Sequence, residues 1–135
     1  MTGWRWIGLE VACAVHDRQL AEHGGGDGIR DLGAIESALA RPQNLVAHGE
    51  PDAADLAASY AFGIAKNHGF IDGNKRTGWV LARLFLADNH YRVRFDPIEA
   101  VHMMEGVAGG SVQEAELAAW FRERLAPADD TAACP

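Results

Sequence analysis

Apolar residues recur along the chain at helical spacing, in alanine-rich stretches that begin at Leu9, and alternation of period two is confined to one short segment. The fold class this predicts is all-α, a bundle of about six helices. A first helix is expected over 9–23, where the glycine run Gly24, Gly25, Gly26 and Gly28 makes continuation costly. A second, over 32–41, should stop before Pro42, whose ring disfavours the helical conformation at the preceding residue. That leaves 42–51 as a loop or short hairpin. A third helix, over 53–67, carries Leu56, Tyr60 and Ile64 on one side and Ala57, Ala61 and Ala65 on another, so both sides can be buried. A fourth should open with Asn74 as N-cap and present Thr77, Val80, Leu81, Leu84 and Phe85 to the core.

The remaining third of the chain reads as follows. Residues 91–95 alternate and suit one short extended segment at an edge. Two capping boxes, Asp96-Pro97-Ile98-Glu99 and Ser111-Val112-Gln113-Glu114, open helices reaching about residues 108 and 125. One domain over 1–126 is expected, followed by a disordered tail over 127–135, which is small, polar and bounded by prolines.

Composition narrows the class. Although 48% of the 135 residues are hydrophobic, no run is long enough to span a bilayer, and the first residues lack the apolar core of a signal peptide, so a cytoplasmic protein is expected. Cys13 and Cys134 are too few and too ill-matched for a disulfide framework or a metal site. A net charge of −7 and a pI near 5.2 argue against direct DNA binding, which needs phosphate-neutralising surface. Positive charge is instead local: Lys75, Arg76 and Arg83 follow one loop, with Arg92 and Arg94 soon after.

That loop holds the candidate chemistry. His68-Gly69-Phe70-Ile71-Asp72-Gly73-Asn74-Lys75-Arg76 places an imidazole, a carboxylate, two glycines, an amide and two cations just before a helix N-terminus. Unpaired backbone N–H groups and the positive end of the helix dipole favour a bound phosphate there. Two cations in a first turn are unfavourable unless an anion compensates them, and this local conflict is the strongest physical clue in the sequence. His68 can serve as a general base, since imidazole ordinarily titrates near neutrality. Asp72 offers a hard oxygen for Mg²⁺, which commonly binds through one or two carboxylates plus nucleotide phosphates. Gly73 permits a tight turn, Asn74 can donate to phosphate as well as cap, and Phe70 can anchor the loop in the core. Taken alone, the same residues also suit a solvated turn before an ordinary helix, and the glycine spacing is not that of a Walker A loop.

The segment resembles the signature of the Fic/Doc superfamily in its death-on-curing branch, His-x-Phe-x-Asp-(Ala or Gly)-Asn-Lys-Arg, and every defined position matches. The likeness extends to Asp27-Gly28-Ile29-Arg30-Asp31, to Leu39-Ala40-Arg41-Pro42-Gln43 and to Ala61-Phe62-Gly63-Ile64-Ala65. What the resemblance implies is a helical bundle with its active loop between two central helices and a short extended flap at residues 41–50 that positions the target. It also implies transfer from ATP to a protein hydroxyl. Catalytic roles fall to His68 as base, Asp72 as Mg²⁺ ligand and Arg76. Gly73, Asn74, Lys75 and Arg76 form the phosphate-binding turn, and Phe70 is the loop anchor.

Members that transfer AMP have glycine in place of Lys75 and a second arginine in place of Trp79. Both departures point towards the phosphotransferase toxins, for which the implied target is a threonine of a translation factor such as elongation factor Tu. AMP transfer, or a catalytically idle antitoxin-binding module, remain the alternatives. Gly69 stands where many relatives have proline, which predicts a looser loop. The inhibitory Ser/Thr-x-x-x-Glu motif of the family is missing, Val101 lying four residues before Glu105, so restraint by a cognate antitoxin protein is implied.

Overall fold

The computed structural model describes residues 3–128. In chain order the elements are α1 (Leu9–His23), α2 (Leu32–Ala47), α3 (Ala53–Asn67), α4 (Asn74–Asp88), β1 (Tyr91–Val93), α5 (Pro97–Gly109), α6 (Glu114–Arg124) and β2 (Leu125–Pro127). The all-α bundle of six helices is therefore as expected. α3 is its axis, packed by α2, α4, α5 and α6. Small residues make this possible: Ala57, Ala58, Ala61 and Ala65 are fully buried, and a Cβ added at Gly78 of α4 would lie 2.8 Å from the Ala61 carbonyl oxygen. The two helices that flank the candidate loop thus touch through backbone.

Aromatic side chains cluster around Phe85. Phe85 is fully buried, with the rings of Trp4, Trp6 and Tyr60 centred 5.8, 5.9 and 5.2 Å away. The Tyr60 hydroxyl accepts a hydrogen bond from the Ile7 backbone N–H, which fastens the segment before α1.

Several boundaries differ from the sequence expectation. α2 does not stop at Arg41 but runs through Pro42 to Ala47, so the expected extended flap at 41–50 is helical over most of its length. Pro42 removes one intrahelical hydrogen bond. Its side chain is fully buried, Val46 beyond it packs on the core, and Arg41 is held by Glu114, so tertiary packing outweighs the local preference. The cap of α4 is Gly73, in the left-handed region at φ 80°, and Asn74 is already helical. The last capping box is Gln113 with Glu116, because Ser111 turns back to the Gly106 carbonyl.

At the end of the chain β2 pairs antiparallel with β1, Val93 opposite Leu125 and Tyr91 opposite Pro127. Pro127, assigned above to the tail, is thus part of the fold. The rest of that tail, 129–135, lies outside the described residues, as does Cys134. Cys13 is a free thiol. Among the described residues no helix is long and apolar enough to cross a membrane.

Candidate active site

The loop between α3 and α4 is built from four directions. α3 ends at His68, whose backbone turns left-handed at φ 51° and ψ 43°, leaving its side chain exposed. Gly69 and Phe70 then drop into the interior, Phe70 being 1% exposed. The Asn74 amide closes the turn from within: its Nδ2 donates to the Phe70 carbonyl at 2.9 Å and its Oδ1 accepts from the Phe70 N–H at 3.1 Å. The expected cap is therefore an internal clamp.

From outside, the glycine-rich segment after α1 runs alongside as a partial strand. Ile29 bridges Phe70, the Gly69 carbonyl accepts from the N–H groups of Arg30 and Asp31, and the Ile71 N–H donates to the Gly28 carbonyl at 3.1 Å. Sequence reading took this run only as a helix stop. Its lack of side chains has a second use, since a Cβ at Gly25 would lie 2.8 Å from Asp72 Oδ2. Gly69 is also not loose: a Cβ there would overlap the Ile35 side chain, so this glycine lets α2 pack against the loop.

Asp72 is exposed, yet its carboxylate is oriented. Oδ1 accepts from the Gly73 N–H at 2.8 Å and Oδ2 from the Gly26 N–H at 3.3 Å. These two donors, the Gly73 one foremost, hold its pKa below the ordinary carboxylate value, with the charge of Arg76 a lesser contribution. The group is an anion with lone pairs to spare. Behind it, His16 of α1 is buried, stacks on Phe70, and places Nε2 2.8 Å from the Asp72 carbonyl oxygen. Sequence reasoning missed His16; the one available signal was a polar residue on the inward face of α1.

α4 then starts with Lys75 and Arg76, both exposed, and with no acid in its first turn. Among the described residues neither cation is in an ion pair. A cavity of about 690 Å³ opens here, and His68, Asp72, Gly73, Asn74, Lys75 and Arg76 all line it. Phe70 does not, being the anchor beneath. The far wall was not foreseen from sequence: Phe95 and the α5 residues Pro97, Ala100, Val101 and Met104 face the loop, with Trp79 of α4 at the side. Trp79 is locked by Phe95 and Phe121, whose rings lie 5.0 and 5.8 Å away. The segment 41–50 takes no part in this cavity; Leu45, His48, Gly49 and Glu50 border a separate groove beside α6.

Residues 6–86, which include the whole loop, all of α3 and all but the last two residues of α4, match the model of the Fic/DOC family. The chain belongs to the Fic/Doc family. A relative named Protein kinase doc, from Escherichia phage P1, is 34% identical over 126 residues, spanning 93% of this chain and 99% of the relative. Toxin Doc of Mycolicibacterium smegmatis is 39% identical over 84 residues, 59% of this chain and 65% of that protein. Both carry the name of the branch that the motif resembles. In this Fic/Doc chain the residues of the segment 68–76 converge on one cavity, with the exception of the buried pair Gly69 and Phe70.

Proposed function

We propose that this Fic/Doc protein is a Doc-type toxin that transfers the terminal phosphoryl group of ATP to a protein hydroxyl, a threonine of a translation factor such as elongation factor Tu. The observation that carries this reading is a single cavity lined by an exposed imidazole, an oriented carboxylate and two unpaired cations at an acid-free helix start. Such a start attracts phosphate through its free N–H groups, and Lys75 and Arg76 add charge where negative charge accumulates in transfer.

His68 takes the proton from the target hydroxyl as its oxygen bonds to the terminal phosphorus. The bond from that phosphorus to the bridging oxygen breaks, and ADP leaves with the electron pair. Asp72 fits the requirement for Mg²⁺: its carboxylate is ionised, exposed and aimed by two N–H donors, while among the described residues no cluster offers a full protein ligand set. A cation completed by phosphate oxygens and water suits that donor set. When bound, Mg²⁺ neutralises phosphate charge. Asn74 acts by fixing the turn, and Gly73 by allowing the backbone to approach the nucleotide.

Phosphoryl rather than AMP transfer is favoured by Trp79. The position where AMP-transferring members carry a second arginine holds an indole wedged between Phe95 and Phe121, so that residue itself offers no cation to a nucleotide. The same reading places the protein in the cytoplasm, under the control of a cognate antitoxin. To test it, purified protein is incubated with ATP, Mg²⁺ and elongation factor Tu, and the intact mass of the target is measured. One added phosphate is expected; an added AMP, or no change alongside modification of another protein in extract, would replace the assignment.

A further inference from the structure

His16 is the sole buried histidine among the described residues, at 2% exposure, and the chemistry proposed above does not use it directly. Its ring lies 3.8 Å from that of Phe70, the planes 9° apart. Nε2 is 2.8 Å from the carbonyl oxygen of Asp72. A carbonyl oxygen can only accept, so Nε2 carries the hydrogen. The Asp17 carboxylate, 4.0 Å from Nδ1, is too far for a hydrogen bond and is largely exposed. The buried imidazole therefore directs its one short hydrogen bond at the main chain of the residue whose carboxylate faces the cavity. Asp72 is gripped twice, by α1 at its carbonyl and by Gly26 and Gly73 at its carboxylate.

We infer that His16 is a positioning residue: by donating to the Asp72 carbonyl while stacked on Phe70, it fixes the peptide that aims the Asp72 carboxylate. This rests on the reading of Asp72 as the residue that holds Mg²⁺. A phenylalanine at this position would keep the stack and lose the donor; a glutamine would keep a donor and lose the stack. The imidazole supplies both. Outer partners that orient a metal-holding group typically change affinity or activity by about 10–100-fold when removed.

The test uses the full chain. In the wild type, long-range ¹⁵N correlation spectra should show His16 with its hydrogen on Nε2. In nucleotide-free His16→Phe, amide exchange at Gly26 and Gly73, the donors to the Asp72 carboxylate, should accelerate about tenfold while α3 and α4 stay protected. The same variant should need about tenfold more Mg²⁺ for half-maximal transfer, an effect on the scale of other lost orienting partners. It should approach the wild-type rate once Mg²⁺ saturates, and His16→Gln should fall between. An Nδ1–H tautomer, or unchanged exchange and unchanged Mg²⁺ dependence, overturns the inference. Should His16→Phe not fold, the tautomer and His16→Gln decide. A wild type that transfers nothing while the exchange shift is present would sink the proposed function and leave the positioning of Asp72 supported. A wild type that transfers normally beside an indifferent His16→Phe would do the reverse.

Discussion

Gly69 and Ile35 meet with no room for a methyl group between them: a Cβ on Gly69 would overlap the Ile35 side chain and lie 3.1 Å from the Asp31 carbonyl oxygen. Gly69→Ala should accordingly destabilise the fold by about 1–3 kcal/mol, the usual cost of overpacking. Urea denaturation measures it. Adding Ile35→Val should recover part of the loss, since contacting residues couple. Additivity of the two changes would mean that the contact is not the cause.

His68→Ala should lower transfer by about 10²–10⁴, as expected for loss of a general base. The left-handed backbone at φ 51° is poorly suited to alanine, so His68→Asn is the better control for folding. Both variants should be equally inactive. Steady-state transfer rates for the pair, with thermal melts alongside, check this; an active His68→Asn would remove His68 from the base role.

Asp72→Asn keeps the shape of the side chain and can still accept from only one of its two N–H donors through oxygen. Loss of charge should raise the Mg²⁺ required for transfer by at least about tenfold, with little change in melting temperature. The carboxylate is ionised throughout the neutral range, its pKa being held below the ordinary value by Gly73 and Gly26. Protonation of Asp72 should therefore contribute nothing to any change in Mg²⁺ dependence between neutrality and mildly acidic pH, so that whatever change the nucleotide phosphates cause should be shared by wild type and Asp72→Asn. A Mg²⁺ titration at several pH values tests both statements.

Arg122 bridges Asp52 and Asp55, the capping pair of α3, at 2.8 Å from each. Its guanidinium pulls the Asp52 pKa from 3.8 down to about 2. A depressed folded-state pKa stabilises above the unfolded value and loses that contribution as pH falls through the folded value. Arg122→Ala should thus cost about 0.5–1 kcal/mol at neutral pH, the range for a solvent-screened pair. The difference from wild type should persist to about pH 4 and fade towards pH 2. Thermal melts of both proteins across that range would show it, and a difference that grew in acid would contradict the assignment.

Lys75→Gly tests the reaction type. If Lys75 and Arg76 grip the group in flight, removing one cation should cut phosphoryl transfer sharply, on the order of 10²-fold or more. AMP transfer should not replace it efficiently, because Trp79 still fills the place of a second arginine. Intact mass of the target distinguishes the products, and a variant that transfers AMP at the former phosphoryl rate would show that Lys75 alone sets nucleotide orientation.

Much of this was readable in the sequence because the relevant signals are local. Helical spacing fixed α1, α3 and α4 to within a residue, and the charge conflict at Lys75 and Arg76 marked the helix start that borders the cavity. What escaped was non-local. α2 passes Pro42 because its side chain is buried by other elements, and nothing within ten residues announces that. Asn74 reads as a cap by its type but is drawn into the loop by Phe70, which is pinned in turn by His16. The glycines at 25, 26 and 28 look like a helix stop, and only their contact with Asp72 and Ile71 reveals the second purpose. The α5 wall has no chemical signature at all, since alanine, valine and methionine read equally well as core.

The cavity has two walls of different origin. One is the loop with its flanking helices, crowded from behind by residues that cannot change size. The other is Phe95 and α5, where Ile98 and Val101 are more than half exposed, at 68% and 54%, and among the described residues no hydrogen bond or ion pair ties α5 to the loop. The loop side is held by contacts that leave no spare volume, whereas the α5 side is bounded by side chains with open space beside them, so substitutions at Ile98 or Val101 should be absorbed at far lower cost than substitutions at Gly69 or Gly78.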